Sequence, residues 1–434
     1  MKTILVVNTG SSSVKFTLFF AADLRIAASG LVERIGLEGT RLVYRRPGQE
    51  TIQRLVSIPD IGNAIELILP LLTDSQAGVI GSKEDIRAIG HRVVHGGEYI
   101  SQPTMIDDRI KQIIRDCFDM APLHNPPNLE GIMACETRFP DIPQVAVFDT
   151  AFHATIPSKA YLYALPLRLC EEMKIRKYGF HGASHRYVSR KAAEWIGKPE
   201  TDLRLITCHL GNGCSITAVS RGKSVDTSMG FTPLEGVPMG TRCGDIDPAI
   251  LFYLMRQHGM NAEQLDILLN RESGLLGLAG TGSSDVRDLV QSMLTGHHQA
   301  ETALRVFTYR IKKYIGAYLA TLGGADAIVF TAGIGENSPL IREWICEGLT
   351  ELGISIDPHL NQSMNGNLGE IQSAESRVLL LIVPTNEEAE IAIQTRELVT
   401  NCEFPLSHHN KIKAVDCSPS TVHRQRSTTF LKGA

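Results

Sequence analysis

The stretch Leu205–Ser220, LITCHLGNGCSITAVS, sets two apolar runs on either side of Gly211, Asn212 and Gly213. Runs of this kind bounded by turn residues predict the two strands of a hairpin. The turn glycines permit positive φ and let a ligand approach the backbone closely. The same plan recurs at the start of the chain, where ILVVN leads into TGSSS and then VKFTLF, and again at Ala327–Ser338, where AIVF leads into TAGIGENS. Three strand ends carrying small polar residues imply one phosphate-bearing ligand held between two related halves.

Outward from these turns the pattern repeats. Residues 2–57 read as a run of strands (ILVVN, VKFTLFF, RIAASGLV, RLVYRR, TIQRLVSI), with alternation and β-branched residues in support. Ile61–Leu72 has helical spacing closed by Pro70, and Ile86–Val94 is a strand inside GHRVVHGG. Helices are predicted at Asp108–Phe118 and, after Pro126-Pro127, at Asn128–Thr137; QVAVFDT is a buried strand ending in Asp149. The second half again places strands first (LITCHL, CSITAVS, KSVDTS) and helices after, one opening at Asp247-Pro248 and one over Ala303–Leu322. AIVFTAG, a helix from Ser338-Pro339, VLLLIVPT and a last helix at Asn386–Val399 follow. That last helix leaves the second half and is expected to pack back on the first. Strand clusters followed by helices, twice over, predict duplicated α/β domains flanking a cleft. The expected division is 1–150 plus 386–400 as one lobe, 151–385 as the nucleotide-binding lobe, and a polar, disordered tail over 401–434.

Composition narrows the function classes. The chain has 434 residues, 43% hydrophobic and 21% charged, which suits soluble packed cores. A net charge of −4 argues against a nucleic-acid or anionic-membrane partner. Nine cysteines without CxxC or zinc spacing read as reduced thiols in a cytoplasmic protein. Met1-Lys2 runs straight into a strand without a signal-peptide pattern. Arg310, Lys312 and Lys313 argue against a membrane span at Val306–Leu322.

No GxxxxGK[ST] phosphate loop is present, so any phosphate site must be built from the GSSS, GNG and GIGENS turns, whose backbone N–H groups can form an anion nest. Arg92 in GHRVVHGG and Arg242 in MGTRCGDIDP sit among glycines and apolar residues, a setting that disfavours a plain surface role. A planar guanidinium suits bidentate capture of carboxylate or phosphate. An arginine on a migrating phosphoryl group is worth about 10³–10⁵ in rate, or roughly 4–7 kcal/mol, against about 0–1 kcal/mol for a surface ion pair. Asp149 closes a strand, where ligands bind in open α/β sheets. His181 and His209 adjoin glycine turns and could donate to a phosphoryl oxygen or serve as structural hydrogen-bonders. Asn8 and Glu387 offer hard oxygen to Mg²⁺, although Glu387 equally suits a helix N-terminus.

Eleven blocks in order, VVNTGSSSVKF, GHRVVHGG, PLHNPPN, FDTAFH, YGFHGASH, HLGNG, MGTRCGDIDP, ESGLLGL, SSDVRD, TAGIGENS and PTNEE, make the chain resemble the acetate kinase family, acetate and propionate kinases, over about Met1–Thr400. The resemblance implies duplicated ribonuclease H-like/actin-like ATPase domains, as in sugar kinases, actin and the Hsp70 chaperones. It implies reversible transfer of the ATP γ-phosphoryl to acetate, with Mg²⁺ or Mn²⁺, giving acetyl phosphate and ADP, in a homodimer. Carried over, Arg92 and Arg242 bind the carboxylate and the phosphoryl group, Asn212 and His181 stabilise the transition state, and Asp149 orients an arginine or the metal shell. Asn8, Ser11, Ser13 and Lys15 form the phosphate and metal side, with Glu387 on the metal. His209, Leu210, Gly211, Gly213, Asp285, Val286, Arg287, Gly333, Ile334, Gly335 and Asn337 line the nucleotide, and Val94, Leu123 and Pro233 surround the alkyl end of the substrate.

The chain departs from the family's usual pattern at Ala183 (commonly threonine) and Cys243 (usually serine or threonine), and GLAGTGSSDVRD is one residue longer before SSD. A propionate or other short-chain acyl kinase is the alternative. A nucleotide-switched binding protein on the same scaffold is a third reading.

Overall fold

The computed structural model describes residues 2–364 and 366–403, so the expected tail lies outside the described residues from 404 onward. Two sheets carry the fold. The first contains β1 (Thr3–Gly10), β2 (Ser13–Phe20), β3 (Ile26–Glu33), β4 (Arg41–Arg45), β5 (Ile52–Leu55), β6 (Ile86–Val93), β7 (Thr104–Met105) and β8 (Gln144–Phe148), in the order β5-β4-β3-β2-β1-β6-β8-β7. The second contains β9 (Arg204–Leu210), β10 (Cys214–Ser220), β11 (Lys223–Thr227), β12 (Ala327–Thr331), β13 (Gly369–Glu370) and β14 (Leu379–Ile382), in the order β11-β10-β9-β12-β14-β13.

The two orders share one plan. β1, β2 and β3 form an antiparallel meander, and β6 and β8 continue the sheet parallel to β1. β9, β10 and β11 repeat the meander, and β12 and β14 continue it parallel to β9. The predicted hairpin at Leu205–Ser220 is the β9–β10 pair, with Leu210 opposite Cys214 across the GNG turn.

The central strands are buried on both faces, as parallel strands covered on each side must be. Side chains alternate between the faces: Leu5 and Val7 of β1 join one core with Phe16, Leu18 and Tyr44, while Ile4 and Val6 join another with Val145, Val147 and Ile391. In β12, Ile328 and Phe330 enter the largest core while Ala327 and Val329 face the helix Gly182–Ile196.

Helix ends differ from the sequence reading for local reasons. Ile61–Leu72 is two short helices, Ile61–Glu66 and Ile68–Thr73, and Pro70 lies within the second. It is tolerated there because a first-turn N–H has no partner inside the helix. For the same reason Pro126 and Pro127 lie inside the first turn of Asn125–Arg138 instead of preceding it. The helix expected from Ala303 starts at His298, where His297 Nδ1 accepts from the Ala300 N–H. The last helix spans Glu387–Glu403, three residues into the expected tail. No helix among the described residues is long and apolar enough to cross a membrane.

That last helix joins the two sheets. Ile391, Ala392 and Val399 pack on the first sheet. Its start is held by the second: the Thr385 N–H donates to Glu336 Oε1 at 2.9 Å, and Arg186 pairs with the fully buried Glu390 at 3.1 Å. Gly90 of β6 makes the close approach possible, since a Cβ there would lie 2.4 Å from Thr395 Oγ1 and 2.8 Å from Ile391 Cγ2. Gly90→Ala therefore forces helix and sheet apart and should destabilise the fold by about 1–3 kcal/mol, the cost of overpacking a filled core. Urea unfolding would read this as a lower midpoint at unchanged slope; an unchanged midpoint would contradict the packing.

Candidate active site

The C-terminal ends of β6 and β8 meet the turn that follows β9 at one cavity of about 680 Å³. Its lining includes Arg92, Val94, Leu123, Asp149, His181, Asn212, Gly213, Pro233 and Arg242, residues drawn from both halves of the chain. A depression of the same volume lies between the helices His298–Leu322 and Pro339–Cys346. There Arg305 stacks on Trp344 at 3.6 Å and pairs with Glu347; the depression contains none of the candidate residues.

Arg92 stands one position before the end of β6, and Asp149 follows β8 directly. The parallel register sets Arg92 beside Val147, which lets the guanidinium reach the carboxylate in a two-point bond, Nε to Oδ1 at 3.1 Å and Nη2 to Oδ2 at 2.7 Å. Glu387 Oε2 stands 3.8 Å from the same guanidinium. Burial opposes the charge of Arg92, but Asp149 and Glu387 more than offset it, and its pKa is raised. Arg242 is different. Among the described residues it makes no ion pair, only a weak contact with Met239 Sδ at 3.8 Å, and burial lowers its pKa. It is a cation with unused donors facing the cavity.

His181 caps the helix Gly182–Ile196 in a left-handed conformation, φ 58°, which a non-glycine residue holds only when its surroundings enforce it. The enforcement is visible: the Gly182 N–H donates to the Asp149 carbonyl at 3.0 Å, and a Cβ on Gly182 would lie 2.1 Å from that oxygen. The His181 ring stacks on His209 at 4.2 Å. Burial, then the neighbouring imidazoles, then Arg92 and Arg242 hold His181 well below its ordinary pKa; burial and Arg92 bring His209 down to about 3. Both rings are neutral at pH 7. Asn212 is exposed in the GNG turn, its amide packed on the backbone of Gly240, where a Cβ would meet Asn212 Oδ1 at 2.1 Å.

Val94 is buried and, with Ala121, Phe180 and Pro233, forms an apolar wall of the cavity near Arg92. Leu123 is exposed at its rim. On the first sheet, Ser11 lies in the β1–β2 turn, Ser13 opens β2, and Lys15, paired across the hairpin with Asn8, bridges to Glu388 at 2.5 Å. Val7 lies beside His91, so Asn8 and Arg92 emerge at the same sheet end. Among the described residues, the cations that Asp149, Glu387 and Glu388 meet there are Arg92 and Lys15. Burial first, with help from the other two carboxylates, raises the pKa of Glu387. An excess of hard oxygen donors fits a divalent cation such as Mg²⁺. Among the described residues no group of three or more His, Cys, Asp or Glu is arranged to hold a metal by itself.

On the second sheet, Thr331 lies beside His209, so the helix Ala332–Asn337, which carries Gly333, Ile334, Gly335 and Asn337, begins next to Gly211 and sets Gly335 against Leu210. Asp285 and Arg287 are not among the residues lining the cavity: Asp285 caps the helix Val286–Leu294 and holds Arg287 at 2.6 Å, while the Val286 side chain is buried in the core. Ala183 is buried in its helix and Cys243 donates its thiol to the Gly244 carbonyl; neither lines the cavity.

Several contributors carried no role in the sequence reading. Asn125 and Asn128 clamp the exit of β6, accepting from the N–H groups of His95 at 3.0 Å and Val94 at 3.1 Å. Their signal lay in the quoted PLHNPPN block. Gly240 of MGTRCGDIDP and Phe180 of YGFHGASH likewise lay in quoted blocks without a role of their own.

The acetokinase family profile matches residues 3–393. An acetate kinase of Methanosarcina acetivorans is 52% identical over 395 residues, 91% of this chain and 96% of its own length. The chain belongs to the acetokinase family. The crystal structure of Porphyromonas gingivalis acetate kinase superposes with a TM-score of 0.87 at 44% identity, covering 92% of this chain and all of that one. A propionate kinase from Francisella tularensis superposes at 0.85 with 41% identity, covering 92% of this chain and 100% of its own. The fold is thus that of these kinases, and the protein is a carboxyl-group phosphotransferase. Acetokinases use ATP and ADP.

The buried imidazoles make stability depend on pH. Burial holds His91, His95 and His153 at about 4, and His209 at about 3. Unfolded histidine titrates near ~6.5, so between that value and ~4 the unfolded chain binds more protons, and stability is lost as pH falls. The loss should be on the order of 1.4 kcal/mol per pH unit per ring. Urea midpoints measured from pH 7.5 to 4.5 should fall steeply below pH 6.5; a flat profile would mean that the folded protein protonates these rings.

Proposed function

We propose that this acetokinase transfers the γ-phosphoryl group of ATP directly and reversibly to acetate, giving acetyl phosphate and ADP. The observation that carries the reading is one cavity lined by a carboxylate-anchored Arg92, an uncompensated Arg242, a neutral His181 and a small apolar wall at Val94. An acetate oxygen is ionised at pH 7 and needs no general base. It attacks the γ-phosphorus as the bond from that phosphorus to the β,γ-bridging oxygen breaks, and the electron pair leaves with ADP. Catalysis then reduces to alignment and to stabilising charge on the three equatorial oxygens.

Each group has a part. Arg92, oriented by Asp149, grips the acetate carboxylate with its methyl against Val94, Leu123 and Pro233. Arg242, with spare donors, follows the migrating phosphoryl group, and His181 and Asn212 donate to its oxygens. Ser11, Ser13, Lys15 and the turn Gly211–Gly213 hold the phosphates. His209, Leu210, Gly333, Ile334, Gly335 and Asn337 bind the nucleotide, with Asp285, Val286 and Arg287 reached as the halves close at residues 1–150 plus 386–400 against 151–385. Mg²⁺ or Mn²⁺, held by Glu387 and Asn8 directly or through water, would neutralise phosphate charge.

Hydroxylamine trapping with ATP, Mg²⁺ and acetate should yield acetyl hydroxamate, lost on chelation. Arg242→Ala should lower kcat by about 10³-fold or more. No hydroxamate at any acetate concentration would reject the reading. The similar propionate kinase keeps propionate in view as a second acceptor; one methylene in an apolar pocket discriminates by only ~1–3 kcal/mol. A panel of acetate, propionate and butyrate should rank in that order by kcat/KM, and a propionate optimum would reassign the acceptor.

The active form is proposed to be a homodimer in the cytoplasm. The helix Ala249–His258 has no buried residue, and Ile250, Phe252, Tyr253 and Met255 are exposed on it, an apolar load a second copy would cover. All eight cysteines among the described residues are free, which suits a reducing compartment. Light scattering should give twice the chain mass of 47.6 kDa, and Phe252→Asp should halve it; a monomeric wild type would refute the dimer.

A further inference from the structure

Beneath the cavity floor four polar side chains form a continuous line. His181 Nδ1 lies 2.9 Å from Ser215 Oγ, and the same hydroxyl lies 2.7 Å from His185 Nε2. His185 Nδ1 lies 2.7 Å from Thr207 Oγ1. Ser215, His185 and Thr207 are completely buried, and none of them lines the cavity. A neutral imidazole has one N–H and one lone pair, and a hydroxyl has one proton. Ser215 Oγ has no other hydrogen-bond partner among the described residues, so its one proton must go to one of the two imidazoles or be stranded in the interior; the line then orders in two ways, and the direction at one end sets the tautomer at the other.

The far end makes the choice. If the Thr207 hydroxyl accepted from His185, its own proton would turn to the Thr217 carbonyl, 3.5 Å away, at the outer limit of a hydrogen bond. If it donates, it meets His185 Nδ1 at 2.7 Å. The second arrangement makes His185 donate from Nε2 to Ser215 and Ser215 donate to His181 Nδ1. His181 is then left with its proton on Nε2, the ring nitrogen not engaged by Ser215, beside Gly213 of the phosphate turn.

We propose that Thr207, His185 and Ser215 are positioning residues that lock His181 as the Nε2–H tautomer, so that a neutral ring presents an N–H donor to the migrating phosphoryl group. The role for His181 rests on the function proposed above; the tautomer does not. Reversal of the line would turn a lone pair toward the incoming anion, and one hydrogen bond would become a repulsion.

The test has two arms on the full-length enzyme. In protein labelled with ¹⁵N-histidine, two-bond ¹H–¹⁵N spectra should show His181, assigned by its loss in His181→Asn, unprotonated at Nδ1 and protonated at Nε2. Thr207→Val removes the donor at nearly constant volume and should let the Nδ1–H form appear, while Thr207→Ser should keep the wild-type pattern. In turnover, Thr207→Val should lose about 5- to 10-fold in kcat with KM for acetate and ATP within about twofold, and Thr207→Ser should recover it. If the valine variant fails to fold, Ser215→Ala cuts the same line and should show the same split between kcat and KM. A proton on His181 Nδ1 in the wild type, or serine and valine variants alike in spectrum and kcat, would overturn the relay. Absence of acetate-dependent turnover in the wild type would instead remove the proposed function and leave the spectrum to judge the tautomer.

Discussion

Arg92 and Arg242 line one cavity, and among the described residues Arg92 has a carboxylate partner where Arg242 has none. That imbalance organises the site. Arg92 is held rigid by Asp149 and stays charged despite burial, whereas Arg242 keeps its donors unused at the expense of desolvation. An uncompensated cation in a partly buried place is tolerable only while water reaches it or an anion occupies the space beside it. The cavity is therefore preorganised for negative charge. The same field, with burial, keeps His181 and His209 neutral, so that the histidines act as hydrogen-bond groups and add no further positive charge.

The fold meets this requirement by duplication. A meander followed by two parallel strands occurs twice, and in each copy the polar turns fall at the same end of the sheet. Parallel strands end together, so β6 and β8 present Arg92 and Asp149 side by side, and β9 and β12 do the same for His209 and the Ala332–Asn337 helix. The helix Glu387–Glu403 spans the joint, with its acidic start among the arginine and lysine of the first sheet. Its body lies against β6 only because Gly90 carries no side chain.

Much of this was legible in the chain. Alternating β-branched runs located the strands, and the GNG turn located one wall of the cavity. Arg92 and Arg242 stood out because apolar and glycine neighbours left them little reason to be surface charges. The less legible parts are those in which one residue acts on another far away. Nothing local marks Gly240 as the platform for Asn212, and the PLHNPPN block flags Asn128 without tying it to Val94. Prolines at 126 and 127 read as a boundary, yet the first helical turn accepts them. Asp285 and Arg287 are a motif in sequence and a self-contained cap and ion pair in space.

By itself the sequence determined the elements, their repetition and the chemical types available, because strand alternation, turn conformation and charge are properties of near neighbours. Only the tertiary structure decided which arginine is neutralised, which histidine faces the cavity and which nitrogen of that ring is tied down. Those outcomes depend on burial and on contacts between residues tens to hundreds of positions apart, and desolvation and hydrogen-bond direction exist only once such residues share a common interior.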